Sequence, residues 1–456
     1  MTGQPAPRPS PSRRVAAATA LLALAAAMVT AATGVLYNPL LALLVLLALM
    51  IAVVAGWTAL VHRGALRVLA AAVGVAALLG TVWLLNVSSL VRIGIVAVLV
   101  LASIAAARAA LGHDLARAPS ASRSAGPARH GVLLMNPWSG GGKAGRFNLE
   151  EEARRRGVTP TVLRRGDDLR ALAEAAVAGG ADVIGMAGGD GSQALVADVA
   201  RQHDVAFVCV PAGTRNHFAL DLGLDRADVV GALDAYGDAV ERRIDLALIG
   251  DRVFVNNASL GVYATVVQSD AYRNAKLATT AQMLPDLLGP QAARFDLRFD
   301  RPDGQPQTSA DLVLVSNNTY HLDSMTGFGT RARIDEGVLG VVTVTVDRAA
   351  DLPALISAEA TGAIHRFHGY QEWTTPDFMI GSAEPLIDVG VDGEALRLPP
   401  PLQFRSLPGA LRVRTPLNAP GVSPAAAAPA GLWRAVTALL RVLAGRPADV
   451  RVQVSS

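Results

Sequence analysis

The sequence predicts an α-helical membrane bundle, followed by an α/β domain and a mainly antiparallel β-sandwich domain. Three observations predict this fold class. Four long apolar runs occupy the first quarter of the chain, strand-like and helical segments then alternate, and strand-like segments with period two follow. The chain has 456 residues, and 51% of them are hydrophobic. That length suits two to four domains, and the apolar excess is concentrated in the first quarter.

The four apolar runs each have about the 20 residues that a helix needs to cross a bilayer. A signal peptide is an alternative for the first run, but its length and the three runs that follow favour an anchor. The runs are Val15 to Leu36, Pro39 to Val61, Ala65 to Leu85 and Leu90 to Leu111.

Arginine residues beside and between the runs predict the orientation of the bundle. They precede the first run, separate the second from the third and follow the fourth, whereas the other two loops carry only Arg92, at an edge. The positive-inside bias then places both ends of the bundle, and everything that follows it, in the cytosol. We therefore expect an integral, multi-pass cell membrane protein with a cytoplasmic folded region. The arginines are Arg8, Arg13, Arg14, Arg63, Arg67, Arg108, Arg117, Arg123 and Arg129.

The composition excludes several classes of protein and site. The single cysteine, Cys209, excludes an internal disulfide and a cysteine-based metal cluster. The formal net charge is only +3, and the sequence contains no basic patch with interleaved aromatic residues. The sequence therefore predicts no nucleic-acid partner.

The region after the apolar runs divides by its pattern. "PSASRSAGP" at residues 119–127 is a small polar linker. Strands are then expected at 130–135, 159–163, 182–187 and 205–210, with helices at 149–156, 168–178 and 192–201. Period-two strands dominate from about Glu241, with helical stretches at 279–288 and 352–365. We expect a transmembrane region at 1–118, a linker at 119–129, an α/β domain at 130–240, a β-rich domain at 241–415, and a Pro/Ala linker with an amphipathic tail at 416–456.

The tail is expected to form a helix with one apolar face. Trp433, Val436, Leu440 and Leu443 recur at helical spacing and make up that face. Two locations for this helix stay open, the membrane surface and a packed core.

Three glycines surround one acid after the third expected strand, in "MAGGDGSQAL". Gly188, Gly189 and Gly191 allow a close approach to the backbone, and a helix N-terminus after a strand collects N–H groups that suit a phosphate. A tight turn without a ligand would need only one glycine. Asp190 would oppose an anion unless a cation lies between them, so the pattern favours a phosphate site that includes a metal ion.

Two further loops follow neighbouring expected strands. "VPAGTRN" offers Gly213, Thr214 and Asn216, and "NPWSGGGK" offers Ser139, Gly140 and Lys143. Ligands bind at the carboxyl edge of open α/β sheets, and all three loops are expected at that edge.

Two competing nucleotide motifs are weaker. Gly140, Gly142 and Gly145 fit G-x-G-x-x-G, with Asp167 and Asp168 further on, which would indicate a nicotinamide-dependent oxidoreductase. A dehydrogenase has no use for the other two loops, however. A Walker A loop is excluded because Pro137 stands where glycine is required and Ala144 stands where serine or threonine is required.

Five short segments occur in an order that points to one family. In "NPWSG", "GGDGS", "PAGTRNHFALDLGL", "DEGVLGVVTV" and "VDGE" the chain resembles the diacylglycerol kinase catalytic-domain family, which includes bacterial lipid kinases and sphingosine kinases. The resemblance extends from Gly131 to Thr415. It implies a membrane-anchored bacterial lipid kinase with ATP and Mg²⁺ in the cleft of a two-domain fold, and a β-rich domain that receives the lipid.

The resemblance also implies roles for particular residues. Asp392 and Glu394 are the candidates for the base that takes the lipid hydroxyl proton, and on an extended strand they would share a face. A plain Asp-Gly turn with solvated acids is the alternative. The expected metal ligands are Asp190 and, for a structural magnesium, Glu336 with main-chain oxygens of Arg333 and Val338. The expected nucleotide-binding residues are Asn136, Pro137, Ser139, Gly140, Gly188, Gly189, Asp190, Gly191, Ser192, Gly213, Thr214 and Asn216.

Four positions depart from the family pattern. Ser192 replaces threonine and keeps the hydroxyl, and Val162 replaces a threonine that Thr161 adjoins. Glu336 replaces aspartate at the expected structural metal site. His217 replaces an aspartate, and an imidazole cannot add negative charge to a magnesium network.

The resemblance favours ATP-dependent phosphorylation of a membrane lipid hydroxyl, with conversion of diacylglycerol to phosphatidic acid placed first. A kinase for a sphingoid base, ceramide or polyprenol is an alternative within this class. A catalytically lapsed nucleotide-binding membrane regulator is an alternative from another class, favoured by His217 and opposed by the intact "VDGE". The expected partners are the lipid substrate and the bilayer, and a homodimer stays open.

Overall fold

The computed structural model describes residues 9–61, 65–85, 87–115, 122–261, 295–322, 331–346, 351, 354, 358, 364–421, 423 and 432–446. These residues form two compact units. One unit contains the four apolar segments and the C-terminal tail, and the other contains the region between them. The expected helix at 279–288 lies outside the described residues, as does most of the stretch at 352–365.

The apolar segments form four helices, which confirms the first part of the predicted fold class. All four are long and apolar enough to cross a membrane. Most of their large apolar side chains face outward, as in helices that have lipid rather than water around them. The helices are α1 (Pro11–Tyr37), α2 (Pro39–Val61), α3 (Ala65–Leu84) and α4 (Val87–Leu115).

The tail forms the predicted helix, Leu432–Leu443, and it packs against α1 and α4 of the same unit. Its buried side chains are Ala438, Leu439 and Val442. Leu440, a member of the expected apolar face, is 50% exposed, because the contact surface is centred on its neighbours. At one end of this unit, Arg14 Nε donates to Leu443 O at 3.0 Å, and a cation at a helix C-terminus stabilises the helix dipole.

Within its described residues, the second unit contains two large sheets, a two-stranded sheet of β9 and β10, and five α-helices. Its helices are α5 (Lys143–Arg146), α6 (Leu149–Arg155), α7 (Leu169–Ala178), α8 (Asp190–Gln202) and α9 (His217–Asp221), with 3-10 turns at Ser139–Gly141, Gly231–Tyr236 and Ile364–Arg366. Its strands are β1 (Arg123–Ala125), β2 (Gly131–Met135), β3 (Thr159–Val162), β4 (Val183–Ala187), β5 (Ala206–Val210), β6 (Ala239–Ile249), β7 (Arg252–Phe254), β8 (Asn257–Gly261), β9 (Phe299–Asp300), β10 (Pro306–Gln307), β11 (Leu312–Asn317), β12 (Leu339–Val344), β13 (Tyr370–Thr375), β14 (Asp377–Ile380), β15 (Ile387–Val391), β16 (Glu394–Leu398) and β17 (Leu402–Pro416).

The first sheet has the order β1-β6-β17-β5-β4-β2-β3, with β7 on β6 and β14 on β17. Strands β2 to β5 are parallel, as the alternation of strands and helices predicted. Strands β2, β4 and β5 are buried along their whole length, because apolar side chains pack on both faces of the sheet. Ile184 and Phe207 enter one core, and Val183 and Val208 enter the other.

The second sheet is antiparallel, with the order β13-β12-β11-β8-β15-β16, and it forms the predicted β-rich part. It packs onto the far ends of β6, β14 and β17 through a shared core. That core contains the aromatic cluster Phe254, Phe299, Trp373, Phe378 and Phe404.

Strands β6 and β17 are the structural link between the two parts. β17 pairs in parallel with β5 at Val413 and in antiparallel fashion with β14 at Phe404. One long strand therefore serves both cores, with a register shift between Leu407 and Leu411. The domain boundaries at 240 and 415 stay predictions.

Candidate active site

Three loops converge at the carboxyl edge of the parallel strands, where the sequence placed a phosphate site. They follow β2, β4 and β5, and they are so close that side chains cannot fit between them. A Cβ on Gly213 would lie closer than 3.0 Å to Gly189 Cα, and a Cβ on Gly140 would lie equally close to Ala212 O. Glycine is needed at these positions because backbone meets backbone there.

The loop after β2 is shaped by its own polar groups. Asn136 N donates to Ala187 O at 2.9 Å, which ties the loop to the end of β4. Asn136 Oδ1 accepts from Trp138 N at 3.0 Å, and the turn continues through Pro137 into the 3-10 turn at Ser139. Lys143 Nζ donates to Gly213 O at 2.9 Å and joins this loop to the loop after β5.

The acids of the competing dinucleotide motif have other roles. Asp168 is the N-cap of α7, where it accepts from Arg170 N and Ala171 N. Asp167 accepts from Arg164 N at 2.7 Å in a surface turn. These contacts leave the G-x-G-x-x-G pattern without the acid that a ribose would need.

The turn after β4 leads directly into α8, as predicted. Gly189 is the N-cap of the helix, so the helix dipole and the first N–H groups point to the edge where the three loops meet. Ser192 lies against Gly188, with its Oγ 3.5 Å from the point where a Cβ would be on that glycine. Gly188 to Ser192 therefore form one compact turn at the start of α8.

Sequence reasoning missed Gln193, which holds this edge together. Its side chain is 1% exposed, and its Nε2 donates to Met186 O at 2.8 Å and to Val210 O at 3.0 Å. The amide thus joins the ends of β4 and β5 beneath the turn. The sequence did contain a signal for this role, because Gln193 is a polar amide on an otherwise apolar face of the expected helix.

Asp190 does not point freely into the cleft. Its Oδ2 accepts from His217 N at 3.0 Å and its Oδ1 accepts from Phe218 N at 3.3 Å, so it caps α9. The side chain of Asn256 also hydrogen-bonds to it. Burial raises the pKa of Asp190, and burial lowers the pKa of His217, which favours a neutral imidazole.

Asn216 shapes the loop after β5 from inside. It is 3% exposed, with a left-handed φ of 53°. Its Nδ2 donates to Pro211 O at 2.9 Å and Gly213 O at 3.0 Å, and its Oδ1 accepts from Gly213 N at 2.8 Å. Thr214, by contrast, is exposed at the tip of the loop. A direct nucleotide contact therefore suits Thr214, whereas Asn216 holds the loop.

Replacing Asn216 with aspartate is expected to raise KM for ATP about tenfold and to lower stability by about 2–3 kcal/mol, because two donor bonds are lost in a buried site. Aspartate keeps the shape and tolerates the left-handed backbone. Asn148→Asp is the matched control, since Asn148 also has a positive φ but is exposed and has no side-chain capping bond. Steady-state kinetics and thermal unfolding check the pair, and equal effects in both variants would contradict the assigned role.

Asp392 lies in a turn, which corrects one sequence expectation. Asp392 and Gly393 have φ of 48° and 85°, so they form a two-residue hairpin turn between β15 and β16. The two acids therefore do not share the face of an extended strand. The reason is the Asp-Gly pair, which favours such turns.

The turn nevertheless places the Asp392 carboxylate in a polar cradle. Its Oδ1 accepts from Asn256 N at 2.8 Å and Asn257 N at 3.3 Å, and its Oδ2 accepts from Val255 N at 2.9 Å. Burial raises the pKa of Asp392 to about 7, and the charge of Asp190 raises it further against the effect of the three donors.

Glu394 reaches the start of α8 from the other side of the turn. A Cβ on Gly191 would lie closer than 3.0 Å to Glu394 Oε1, so the carboxylate packs on the glycine turn. Its Oε2 forms an ion pair with Arg252, and the Glu394 side chain is half exposed. The structure thus brings both candidate bases to the loops that were expected to bind the nucleotide.

The expected structural metal loop is held by protein groups. Glu336 Oε2 accepts from Thr319 Oγ1 at 2.6 Å, and Val338 O accepts from Asn318 N at 3.0 Å. Arg333 pairs with Asp335. Within the described residues, no three His, Cys, Asp or Glu side chains cluster to hold a metal ion. A magnesium ion at Glu336 stays a prediction, and it would have to share these two oxygens.

Comparison with known proteins agrees with this arrangement. Residues 130–249 match the model of the diacylglycerol kinase catalytic domain. A diacylglycerol kinase of Mycobacterium tuberculosis is 29% identical over 299 residues, which cover 62% of this chain and 94% of that protein. A YegS-like protein of Pseudomonas aeruginosa, named as a probable lipid kinase, is 29% identical over 285 residues, which cover 59% of this chain and 88% of that protein.

A solved structure shows the same fold. The crystal structure of a candidate diacylglycerol kinase from Bacillus anthracis aligns with a TM-score of 0.51 at 20% identity, covering 66% of this chain and 99% of that one. The matched sequence segments, the converging glycine loops and this shared fold point to the same conclusion. Residues 130–249 match the diacylglycerol kinase catalytic domain, and the chain is similar in sequence to bacterial lipid kinases.

Proposed function

We propose that this protein transfers the γ-phosphate of ATP to the hydroxyl of a membrane lipid, and that diacylglycerol, converted to phosphatidic acid, is the preferred acceptor. One observation carries the proposal: three glycine loops meet at the start of α8, where the carboxylates of Asp190 and Glu394 also lie. Phosphoryl transfer requires this combination of phosphate cradle, cation site and proton acceptor. Diacylglycerol comes first because relatives that align over most of their length are named as diacylglycerol kinases.

The glycine loops support the binding of a nucleoside triphosphate. The N-terminus of α8 and the glycine turn at 188–192 would hold the phosphates, and Thr214 is exposed beside them. Magnesium would neutralise charge on the transferring phosphoryl group. Asp190 and Asn256 suit its water shell, because among the described residues Asn256 Oδ1 is buried without a hydrogen-bond partner.

Asp392 is the better-placed base of the two candidates. A pKa near 7 gives a carboxylate that is ionised in part at neutral pH and can still accept a proton. One amide donor occupies Oδ2, which leaves that oxygen with room for a substrate hydroxyl. Glu394 is half exposed, and its carboxylate is already engaged in an ion pair with Arg252.

His217 does not by itself indicate a lapsed enzyme. Asp190 receives its hydrogen bonds from the backbone N–H groups of His217 and Phe218, which any residue would provide. The replacement of an aspartate side chain therefore leaves the capping of α9 intact. The lapsed regulator becomes the conclusion only if ATP binds and no lipid is phosphorylated.

The membrane helices complete the proposal. Anchoring by α1 to α4 would keep the active site at the surface where the acceptor lipid is concentrated. The arginine distribution supports a cytosolic location for the catalytic unit, where ATP is available.

The test is transfer of labelled γ-phosphate from ATP in mixed micelles, with diacylglycerol, sphingosine, ceramide and undecaprenol offered separately. We expect labelled phosphatidic acid, and a loss of about 10²-fold or more in the Asp190→Asn variant, which cannot support a cation as well as a carboxylate does. Preferential labelling of another lipid would replace diacylglycerol as the acceptor. No labelled lipid from protein that still binds ATP would overturn the kinase activity itself.

A further inference from the structure

Arg331 is a buried cation that the sequence analysis did not single out. Its side chain is 2% exposed, and it lies 3.3 Å from Asp221 Oδ2 through Nη1. Nη1 also donates to Val255 O at 3.0 Å, and Nη2 donates to Asn256 O at 2.9 Å. Burying a guanidinium costs free energy unless its N–H groups find acceptors. The position of Arg331 beside these two carbonyl groups therefore calls for a functional explanation.

The two carbonyls belong to the peptide groups that hold Asp392. The peptide group between residues 255 and 256 accepts from Arg331 at its oxygen and donates its Asn256 N–H to Asp392 Oδ1 at 2.8 Å. The next peptide group does the same with Asn256 O and the Asn257 N–H, at 3.3 Å. Arg331 and Asp392 are therefore joined through two parallel peptide dipoles.

We propose that Arg331 is a positioning residue that fixes and polarises the cradle of Asp392 through these two peptide groups. The inference rests on the proposed function in one respect, the role of Asp392 as the base. A cation at each carbonyl oxygen increases the positive charge on the N–H at the other end of the same peptide. The effect favours the ionised carboxylate and holds it in one orientation.

The same tripeptide also contacts the second acid of the site. The side chain of Asn256 hydrogen-bonds to Asp190 while its backbone N–H binds Asp392. Fixing residues 255–257 therefore fixes the distance between the proposed base and the proposed cation site. A guanidinium suits this task because it offers two parallel donors in a rigid plane.

Removing Arg331 leaves the buried Asp221 carboxyl without its counter-charge, which lowers stability, but it does not strand the two carbonyl groups. The two carbonyls also accept from Asn317, through Nδ2 at 3.3 Å to Val255 O and through the backbone N at 2.9 Å to Asn256 O. Arg331→Gln would thus leave them partnered and remove mainly the charge. The charge of Asp190 on α8 acts on Asp392 directly. Asp190 in turn interacts with His217 and Asp221 on α9, on which Arg226 and Arg331 also act, and Arg252 on β7 pairs with Glu394 on β16.

The experiment measures kcat, KM for ATP and the pH dependence of kcat/KM for the full-length protein in micelles. Arg331→Gln should lower kcat about 10-fold to 100-fold with KM changed less than about threefold. The acidic limb of its kcat/KM profile should move to higher pH by about half a unit or more, because the variant lacks the cation that favours the ionised form of Asp392. Arg331→Lys should recover part of kcat.

Two matched variants distinguish an effect of the Arg331 charge on Asp392 from an effect of lost packing. Arg242→Gln removes another buried guanidinium, whose Nη2 donates to Leu222 O, and it should lower stability without moving the limb. Asp221→Asn keeps Arg331 and removes its counter-charge, so its limb should move to lower pH. The proposal would be overturned if the acidic limb of kcat/KM stayed in place in both the Arg331 and Asp221 variants. It would also be overturned if Arg242→Gln moved that limb as far as Arg331→Gln does.

Amide hydrogen exchange provides a readout that does not depend on kinase activity. Exchange at the peptide amides of residues 255–257 should accelerate in Arg331→Gln and stay unchanged in Arg242→Gln. If the wild type phosphorylates no lipid, the proposed function fails, while this comparison still decides whether Arg331 orders the cradle. If Arg331→Gln does not fold, the Arg331→Lys and Asp221→Asn variants decide the question by the same two readouts.

Discussion

Replacing Asp392 with asparagine is expected to lower kcat for lipid phosphorylation about 10²-fold to 10⁴-fold, the usual contribution of a general base. The amide cannot accept the hydroxyl proton. It also presents an NH₂ group to a cradle of three N–H donors, and one of them will lose its acceptor. A donor left unpaired in a buried site costs about 1–3 kcal/mol, so a lower melting temperature should accompany the loss of activity.

The matched control is Asp388→Asn, four residues before the hairpin turn. Asp388 is partly exposed on β15 and pairs with Arg397, and the loss of such a surface pair costs at most about 1 kcal/mol. Glu394→Gln completes the set, because it removes the other candidate base without disturbing the cradle. Full activity in Asp392→Asn together with inactivity in Glu394→Gln would reverse the assignment of the base.

The raised pKa of Asp392 gives this prediction a pH signature. The base must be ionised, and burial holds its pKa at about 7. Wild-type kcat/KM should therefore rise about tenfold per pH unit up to about pH 7 and level off above it. The residual activity of Asp392→Asn should lack this limb. A limb that stays in Asp392→Asn would belong to another group.

The local patterns of the sequence predicted the parts of the fold that depend on near neighbours. The four apolar runs became α1 to α4, and the alternation after residue 130 became the parallel strands β2 to β5. The convergence of the three loops followed from the same pattern, because parallel strands in one sheet end at the same edge. The proximity of Gly140, Gly189 and Gly213 is the result.

Contacts between distant parts of the chain could not be predicted in this way. Val413 pairs with Phe207, about 200 positions away, and no local pattern of β17 announces that partner. The Arg331–Asp221 pair likewise joins two segments that look unrelated in sequence. Asp392 shows a different limit: its Asp-Gly pair signalled a turn, but its partners at residues 255–257 depend on how β8 lies beside β15.

Replacing Gly140 with alanine is expected to lower kcat/KM for ATP about 10²-fold, because it separates two of the loops that would hold the nucleotide. The added Cβ would lie closer than 3.0 Å to Ala212 O and 2.8 Å from Gly213 O. Both atoms are backbone, so no side chain can rotate away, and the loop after β5 must shift. Displacement of a binding group by about 1 Å is enough for a loss of this size.

The neighbouring glycine separates this contact from backbone strain. Gly140 and Gly141 have φ of 56° and 69°, so alanine at either position pays a similar cost of about 1–2 kcal/mol for the left-handed conformation. A Cβ on Gly141 meets nothing within 4 Å among the described residues. Gly141→Ala should therefore be destabilised to a similar degree while kcat/KM changes less than about threefold. If both variants lose activity equally, strain in the loop is the cause; if only Gly140→Ala does, the loops must be in direct contact for the nucleotide to bind.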